Sequence, residues 1–254
     1  MIDIHSHILP GLDDGARSFE QAVEMVQLAA VNGTTDLVAT PHSDLRYSYR
    51  PEEIDGRLVE LREAVGNVIQ LYRGCDFHLH YENLQDALSN PTKYTINGKR
   101  YLLVEFDDRI ILQNTAELLE RLQIVGIIPI ITHPERNPLL RKRLDDLADW
   151  VASGALIQVT AQSFLGRFGQ AARHATEELM SRRLVHFVAS DAHDLKHRSP
   201  SLQASFQFVR RHYGGARAEA LFVENPRATL KGTELPAEVL STQKPARRWL
   251  SFYR

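Results

Sequence analysis

Along the 254-residue chain, seven short apolar runs alternate with longer stretches in which apolar residues recur every three or four positions. The runs cover 1–5 (MIDIH), 35–40 (TDLVAT), 67–72 (NVIQLY), 100–106 (RYLLVEF), 126–132 (GIIPIIT), 155–160 (ALIQVT) and 184–190 (LVHFVAS). Apolar runs of this length read as strands buried on both faces, and the 3.6-residue period between them reads as helix. Ser18 with Gln21 three residues on forms a capping box, and Gly33 supplies a stop, which predicts a helix over 19–32. Further helices are predicted over 51–66, 112–125, 138–153, 170–183, 201–213 and 216–222. Turn signals over 81–98 predict a short helix and a small hairpin.

Strands alternating with helices imply a parallel sheet joined by right-handed crossovers. A single α/β domain of barrel-like architecture over 1–235, followed by a tail over 236–254, fits this order; an open doubly wound sheet is the competitor. Neither a G-x-G-x-x-G after the first strand nor a P-loop occurs, so nothing supports nucleotide binding.

Composition narrows the classes. With 43% hydrophobic and 24% charged residues the chain can bury a large core, and a net charge of -2 does not suit nucleic-acid binding. The lone Cys75 rules out an internal disulfide. The N-terminus lacks a basic segment and a long apolar one, and no stretch approaches a membrane span, so a cytoplasmic protein without membrane insertion is expected.

The histidines change the picture. Five of the eleven lie at or just past the C-terminal ends of predicted strands: His5, His7, His42, His133 and His193. Asp14, Asp76, Glu105 and Asp191 share that address. In a parallel barrel these ends converge on one face. Residues i and i+2 of a strand point the same way, which pairs His5 with His7 and Asp191 with His193 on strands that closure makes neighbours. Asp3 has the parity of His5 and reads equally as an orienting residue or as a polar strand start. Imidazole and carboxylate without thiolate suit Zn, Mn or Fe. Four carboxylates in one cavity would repel; three divalent ions would turn the charge to a surplus of two, which suits an anionic substrate.

The ordered set DIHSH, TPH, GCD, VEF, THPERN and SDAH resembles the PHP (polymerase and histidinol phosphatase) superfamily. Within it, MIDIHSHILPGLDDG, HPERN, VHFVASDAHD and LFVENP resemble the bacterial tyrosine-protein phosphatases of capsule and exopolysaccharide systems, over roughly residues 1–230. The resemblance implies a distorted TIM-like (β/α)7 barrel and three divalent transition-metal ions, manganese first among Mn, Fe and Zn. It implies His5, His7, Asp76 and Asp191 for the first ion, Asp76, Glu105 and His133 for the second, and Asp14, His42 and His193 for the third. Arg136 and Arg198 match its phosphate-binding arginines, and its substrate class is a phosphotyrosine protein, the tail of a bacterial tyrosine kinase. Asp76 departs from the family's usual Glu; His78 shares its parity and offers either an extra ligand or a polar loop residue.

The implied reaction is phosphoester hydrolysis, in which metals can lower the pKa of water from 15.7 to about 7. The hydroxide so formed attacks phosphorus in line with the ester oxygen while the arginines hold the equatorial oxygens. Thiol catalysis lacks its arginine, because Tyr81 stands six positions after Cys75. Arg46 and Tyr47, with Tyr49 and Arg50, offer a substrate rim or a solvated loop, and the basic aromatic tail KPARRWLSFYR (244–254) offers a partner surface or a frayed end. Two other functions stay open: a PHP phosphatase acting on histidinol phosphate or a nucleotide, and a non-catalytic metal-stabilised binding protein.

Overall fold

In the computed structural model, which describes residues 1–236, β1 (Ile2–Ser6) pairs in parallel with β2 (Asp36–Ala39), and β2 with β4 (Gln70–Arg73). A second parallel ladder runs from β3 (His42–Ser43) through β5 (Asp76–His78), β6 (Tyr101–Glu105), β7 (Ile128–Thr132) and β8 (Leu156–Thr160) to β9 (Phe187–Ala189). The second and third of the seven expected strands form β2 and β4, and each stave runs on past a break into a further short strand, β3 and β5, beyond the apolar runs. Pro41, which has no N–H to donate, lies at the first break, and Gly74 at the second. A Cβ at Gly74 would stand 2.8 Å from Val38 Cγ1 and 3.0 Å from Thr40 Cγ2, so only glycine lets the two staves approach there.

Closure comes from β1 and β9. His7 N–H donates to the Ala192 carbonyl at 2.8 Å and Asp191 N–H to the His5 carbonyl at 2.9 Å. The seven staves therefore form a distorted barrel rather than an open sheet.

Side-chain alternation sorts the core. Leu102, Val104, Ile131, Ile157, Val159 and Val188 pack outward with helix residues such as Met25, Leu58 and Leu147. Ile2, Ile4, Val38, Leu103, Ile130, Leu156 and Phe187 fill the barrel interior, and Ala228, Leu230 and Leu235 seal its lower end. Polar site residues occupy the upper end. Strand β1 serves both layers through a bulge: Asp3 pairs with Leu37 but Ser6 with Ala39, one residue more on β1 than on β2. The bulge separates the parity of Ile2 and Ile4 below from that of the histidines above.

The helices α1 (Phe19–Val31), α2 (Pro51–Val65), α3 (Tyr81–Ser89), α4 (Thr115–Ile124), α5 (Leu144–Ala152), α6 (Gly169–Ser181) and α7 (Gln203–Tyr213) follow the expected order. Then α8 (Gly215–Glu219) runs through a π turn at Ala220–Glu224 into α9 (Asn225–Lys231). Ser18 caps α1 by accepting from Gln21 N–H at 3.2 Å, but Gln21 reaches back to Arg17 N–H rather than to that of Ser18. No hairpin forms over 81–98; a 3-10 turn at Ile96–Gly98 follows α3 instead. The helix expected from 138 begins as a separate 3-10 turn, Leu140–Lys142, because Asn137 Oδ1 captures the N–H groups of Leu139 and Leu140. Among the described residues no helix is long and apolar enough to cross a membrane. Of the tail expected over 236–254, residues 237–254 lie outside the described residues.

Two glycines with opposite surroundings test this packing. A Cβ at Gly56, inside α2, meets nothing within 4 Å. Gly56→Ala is expected to stabilise by about 0.5–1 kcal/mol, and Gly74→Ala to destabilise by about 1–3 kcal/mol through overpacking. Denaturant midpoints moving in the same direction would refute the assigned environments.

Candidate metal centre

All nine residues singled out at the strand ends meet at the upper mouth of the barrel. His5 Nε2 stands 3.3 Å from both Asp76 Oδ2 and Asp191 Oδ1, and 3.2 Å from His7 Nε2. His7 Nε2 is also 3.3 Å from Asp191 Oδ1. His42 bridges outward, Nδ1 lying 3.3 Å from Asp76 Oδ2 and 3.5 Å from Glu105 Oε2, while Nε2 lies 3.4 Å from Asp14 Oδ1. His193 Nε2 is 3.4 Å from the same Asp14 oxygen, and His133 Nε2 is 3.7 Å from Glu105 Oε1.

Four overlapping groups have donor atoms close enough to share an ion: His7, Asp14, His42 and His193; His5, His7 and Asp76; His5, His133 and Asp191; His42, Asp76 and Glu105. This grouping differs from the expected one in several places, among them His42, which also joins Asp76 and Glu105. His7 joins the Asp14 group because β1 brings it beside His193, the rings 3.9 Å apart. His133 groups with His5 and Asp191 rather than with Asp76, since a left-handed backbone (φ 31°) turns it just beyond β7. Asp191 is left-handed too, at φ 51°. Such conformations in non-glycine residues cost of order 1–3 kcal/mol and persist where surroundings over-determine them.

The donor chemistry fits cations. Asp76 is fully buried, yet neither of its oxygens has a hydrogen bond of good geometry. Asp191 Oδ1, His42 Nδ1 and His193 Nε2 are likewise buried without a partner. A buried carboxylate left in this state is costly, and positive charge among the oxygens removes the cost. Burial, reinforced by the charge of Asp76, pushes Glu105 up to about 8. Burial opposes the charge of Asp191, but Arg136, His5 and Arg198 outweigh it and hold that carboxyl well below the usual range. Hard oxygen and borderline imidazole donors without thiolate are the set that divalent first-row metals take.

Several partners were not legible beforehand. His7 Nδ1 meets Asp13 Oδ2 at 2.6 Å, and the same carboxylate accepts from the backbone N–H of His42 at 3.1 Å and of Gly15 at 2.9 Å. His5 Nδ1 lies 3.0 Å from Gln158 Oε1. These contacts set each imidazole's tautomer and aim Nε2 at the cluster. The signals were an aspartate beside Asp14 and a lone amide in the apolar run ALIQVT. Asp3 does not orient a histidine ring; its Oδ1 accepts from Ser190 N–H at 3.0 Å and so ties β1 to the end of β9. Glu135, fully buried, accepts from Thr160 N–H at 2.7 Å and from Ser163 Oγ at 2.8 Å, pinning the loop after β7 to that after β8.

Both arginines reach the cluster. Arg136 and Arg198 each pair with Asp191 Oδ2, and the Arg136 guanidinium lies 4.4 Å over the Phe168 ring. The loop bearing Arg198 is folded by Asp194, whose carboxylate accepts from the backbone N–H groups of Lys196, His197 and Arg198. A cleft of about 620 Å³ opens over the site, lined by Asp14, His42, Asp76, Glu105, His133 and Asp191 of the ligand candidates, both arginines, His78, Arg46 and the segment 106–109, while His5, His7 and His193 lie beneath this lining. His78 belongs to none of the four groups. Arg46 is largely exposed at the rim, 5.3 Å over the Tyr47 ring, which stacks on His42 with centroids 6.0 Å apart.

The family model for capsular polysaccharide synthesis, CpsB/CapC, matches residues 1–231. The chain belongs to the CpsB/CapC family. It is 34% identical to CapC of Staphylococcus aureus over 98% of both chains. It is 33% identical to the tyrosine-protein phosphatase YwqE of Bacillus subtilis, covering 84% of this chain and 85% of that one. In fold it superposes with TM-score 0.87 and 30% identity, over 93% of this chain and 96% of the other, on a structure from work describing YwqE and Streptococcus pneumoniae CpsB as metal-dependent tyrosine phosphatases. A more distant fold likeness, at 12% identity and TM-score 0.57 over 90% of this chain and 98% of the other, is the phosphotriesterase homology protein of Escherichia coli. The CpsB/CapC assignment agrees with the parallel barrel and with a polar mouth rich in metal-type donors.

The hydrogen bond from Asp13 to His7 gives a direct test of this CpsB/CapC site. Asp13→Asn keeps size but cannot enforce the same tautomer, and metal affinity in a chelator competition is expected to fall about 10–100-fold. Unchanged affinity would mean that His7 is not held for a metal.

Proposed function

We propose that this CpsB/CapC chain is a metal-dependent phosphatase of phosphotyrosine proteins in capsule or exopolysaccharide synthesis. Residues 1–235 act as one domain, in the cytoplasm, on the phosphotyrosine tail of a bacterial tyrosine kinase. The observation that carries the reading is the convergence, at the mouth of one cleft, of four overlapping groups of metal-type donors with two arginines paired to the same carboxylate.

Three divalent ions are proposed, manganese ahead of iron and zinc, held by His5, His7, Asp14, His42, Asp76, Glu105, His133, Asp191 and His193. Such ions supply Lewis acidity and make a water nucleophile available near neutral pH. The chain's own residues do the rest. Arg136 and Arg198 bind the phosphoryl oxygens; a guanidinium offers paired donors that match them. Support comes from Arg198 Nε, which is buried with no partner within the protein. Phe168 beneath Arg136, and Asp191 beside it, keep that guanidinium in place before substrate arrives. Asp13 and Gln158 fix the His7 and His5 tautomers. Arg46 borders the entrance over the Tyr47 ring, and the two meet the substrate outside the phosphate. A tyrosine leaving group, with a pKa near 10, needs little help from a general acid. Cys75 is fully buried and its pKa is raised by that burial, so it does not serve as a thiolate.

Kinetics on a phosphotyrosine peptide test this reading. Arg136→Ala and Arg136→Lys are expected to keep fold and metal while kcat/KM falls by roughly 10²–10³. EDTA should abolish activity, and Cys75→Ser should leave most of it. Near-normal kcat/KM in Arg136→Ala would remove the phosphate clamp, and activity resistant to EDTA but lost with Cys75 would replace the metal reading with thiol catalysis.

A further inference from the structure

Outside the four donor groups of the metal centre, two further histidines stand together at the top of the barrel. His78 closes β5, in register with Glu105 of β6, and lines the cleft. His80 immediately precedes α3. Its N–H donates to the His78 carbonyl at 3.0 Å, a tight turn that sets the two rings 6.0 Å apart between centroids, tilted by 40°. Histidine pairs that share a donor group within the centre stand between 3.9 and 6.2 Å apart.

The backbone that carries both rings is tied to β3. Asn83 Nδ2 donates to the Ser43 carbonyl at 2.7 Å and to the His78 carbonyl at 3.0 Å, and Ser43 Oγ donates to Asn83 Oδ1 at 3.1 Å. His80 Nδ1 faces Glu82 Oε2 at 2.9 Å. A carboxylate only accepts, so Nδ1 carries the proton and Nε2 keeps its lone pair. That Nε2 is buried without a partner, and so is Nδ1 of His78. A carboxylate on one imidazole nitrogen with the other left open is how metal-ligating histidines are oriented. Asp13 does the same for His7 within the centre.

We infer that His78 and His80 hold a further divalent cation of the zinc class, on the cleft wall and apart from the nine-residue centre, with Glu82 orienting His80. Two imidazole nitrogens supply half of a tetrahedral shell, and water completes it. Imidazole donors favour zinc over manganese in the ordinary order of affinities. Each group of the centre offers three or four protein donors against two here, so this ion is taken up after the centre is filled. Asp44 and Asp107 line the same cleft, and their charge favours a cation beside His78. The inference holds whatever the substrate.

Equilibrium dialysis of the full chain over a series of free zinc concentrations, with bound zinc counted by elemental analysis, tests it. Above the concentration that fills the centre, the unmodified chain is expected to take up one further zinc. His80→Ala and His78→Ala should each lack that last ion and keep the earlier ones. Glu82→Gln should retain it but need about 10–100-fold more free zinc. The same series in manganese should show no last ion. Identical zinc uptake by the unmodified chain, His80→Ala and Glu82→Gln would overturn the inference and leave the two nitrogens sharing a water. Loss of every ion in His80→Ala would overturn it too, by marking His80 as a structural support of the centre. His78 stands two residues from Asp76, so if His78→Ala folds poorly the His80 and Glu82 variants decide the question.

Discussion

Two carboxylates at the top of the barrel, Asp76 and Asp191, are almost completely shielded from water. Charge in that position is tolerated only where opposite charge or hydrogen bonds surround it. The chain meets the requirement from one side for Asp191, whose Oδ2 faces Arg136 and Arg198 while Oδ1 faces His5 and His7. Around Asp76 only imidazoles and Glu105 come near. The unmet need of Asp76 organises the site: it accounts for the imidazoles of His5, His7 and His42 drawn up around it, and it makes the cluster a fit for cations.

The barrel exists to bring those groups together. Nine ligand candidates spread from His5 to His193 in sequence become neighbours because parallel staves deliver all their C-terminal ends to one rim. The lower half is sealed by apolar side chains and by α9, which leaves water access from the cleft above. Stability and chemistry are divided along the strand axis, and the bulge in β1 is where a single strand passes from one role to the other.

Much of this was legible in the sequence because it follows from local pattern. Apolar runs with periodic stretches between them marked the staves and helices, and polar residues at the ends of apolar runs marked the rim. What escaped depends on contacts between distant segments. Gln158 meets His5 across 153 positions, and Asn137 meets the Phe106 carbonyl across 31. The i, i+2 rule paired His5 with His7 correctly but also tied Asp3 to them, and the bulge breaks that tie. The hairpin expected within 81–98 was a turn signal without a strand partner. The breaks at Pro41 and Gly74 were visible as residue types, yet their effect follows from the crossing of neighbouring staves, which single-strand periodicity does not carry.

The central claim is that these nine side chains form one multinuclear metal centre organised around Asp76. Metal stoichiometry measures it most directly: chelator-stripped protein is dialysed against manganese, iron or zinc in turn, and bound metal per chain is determined by elemental analysis, beside Asp76→Asn treated identically. The account predicts clearly more than one ion per chain, three at saturation, with the Asp76→Asn chain folded but losing ions. Binding of one ion or none, or equal stoichiometry in the two proteins, would contradict it.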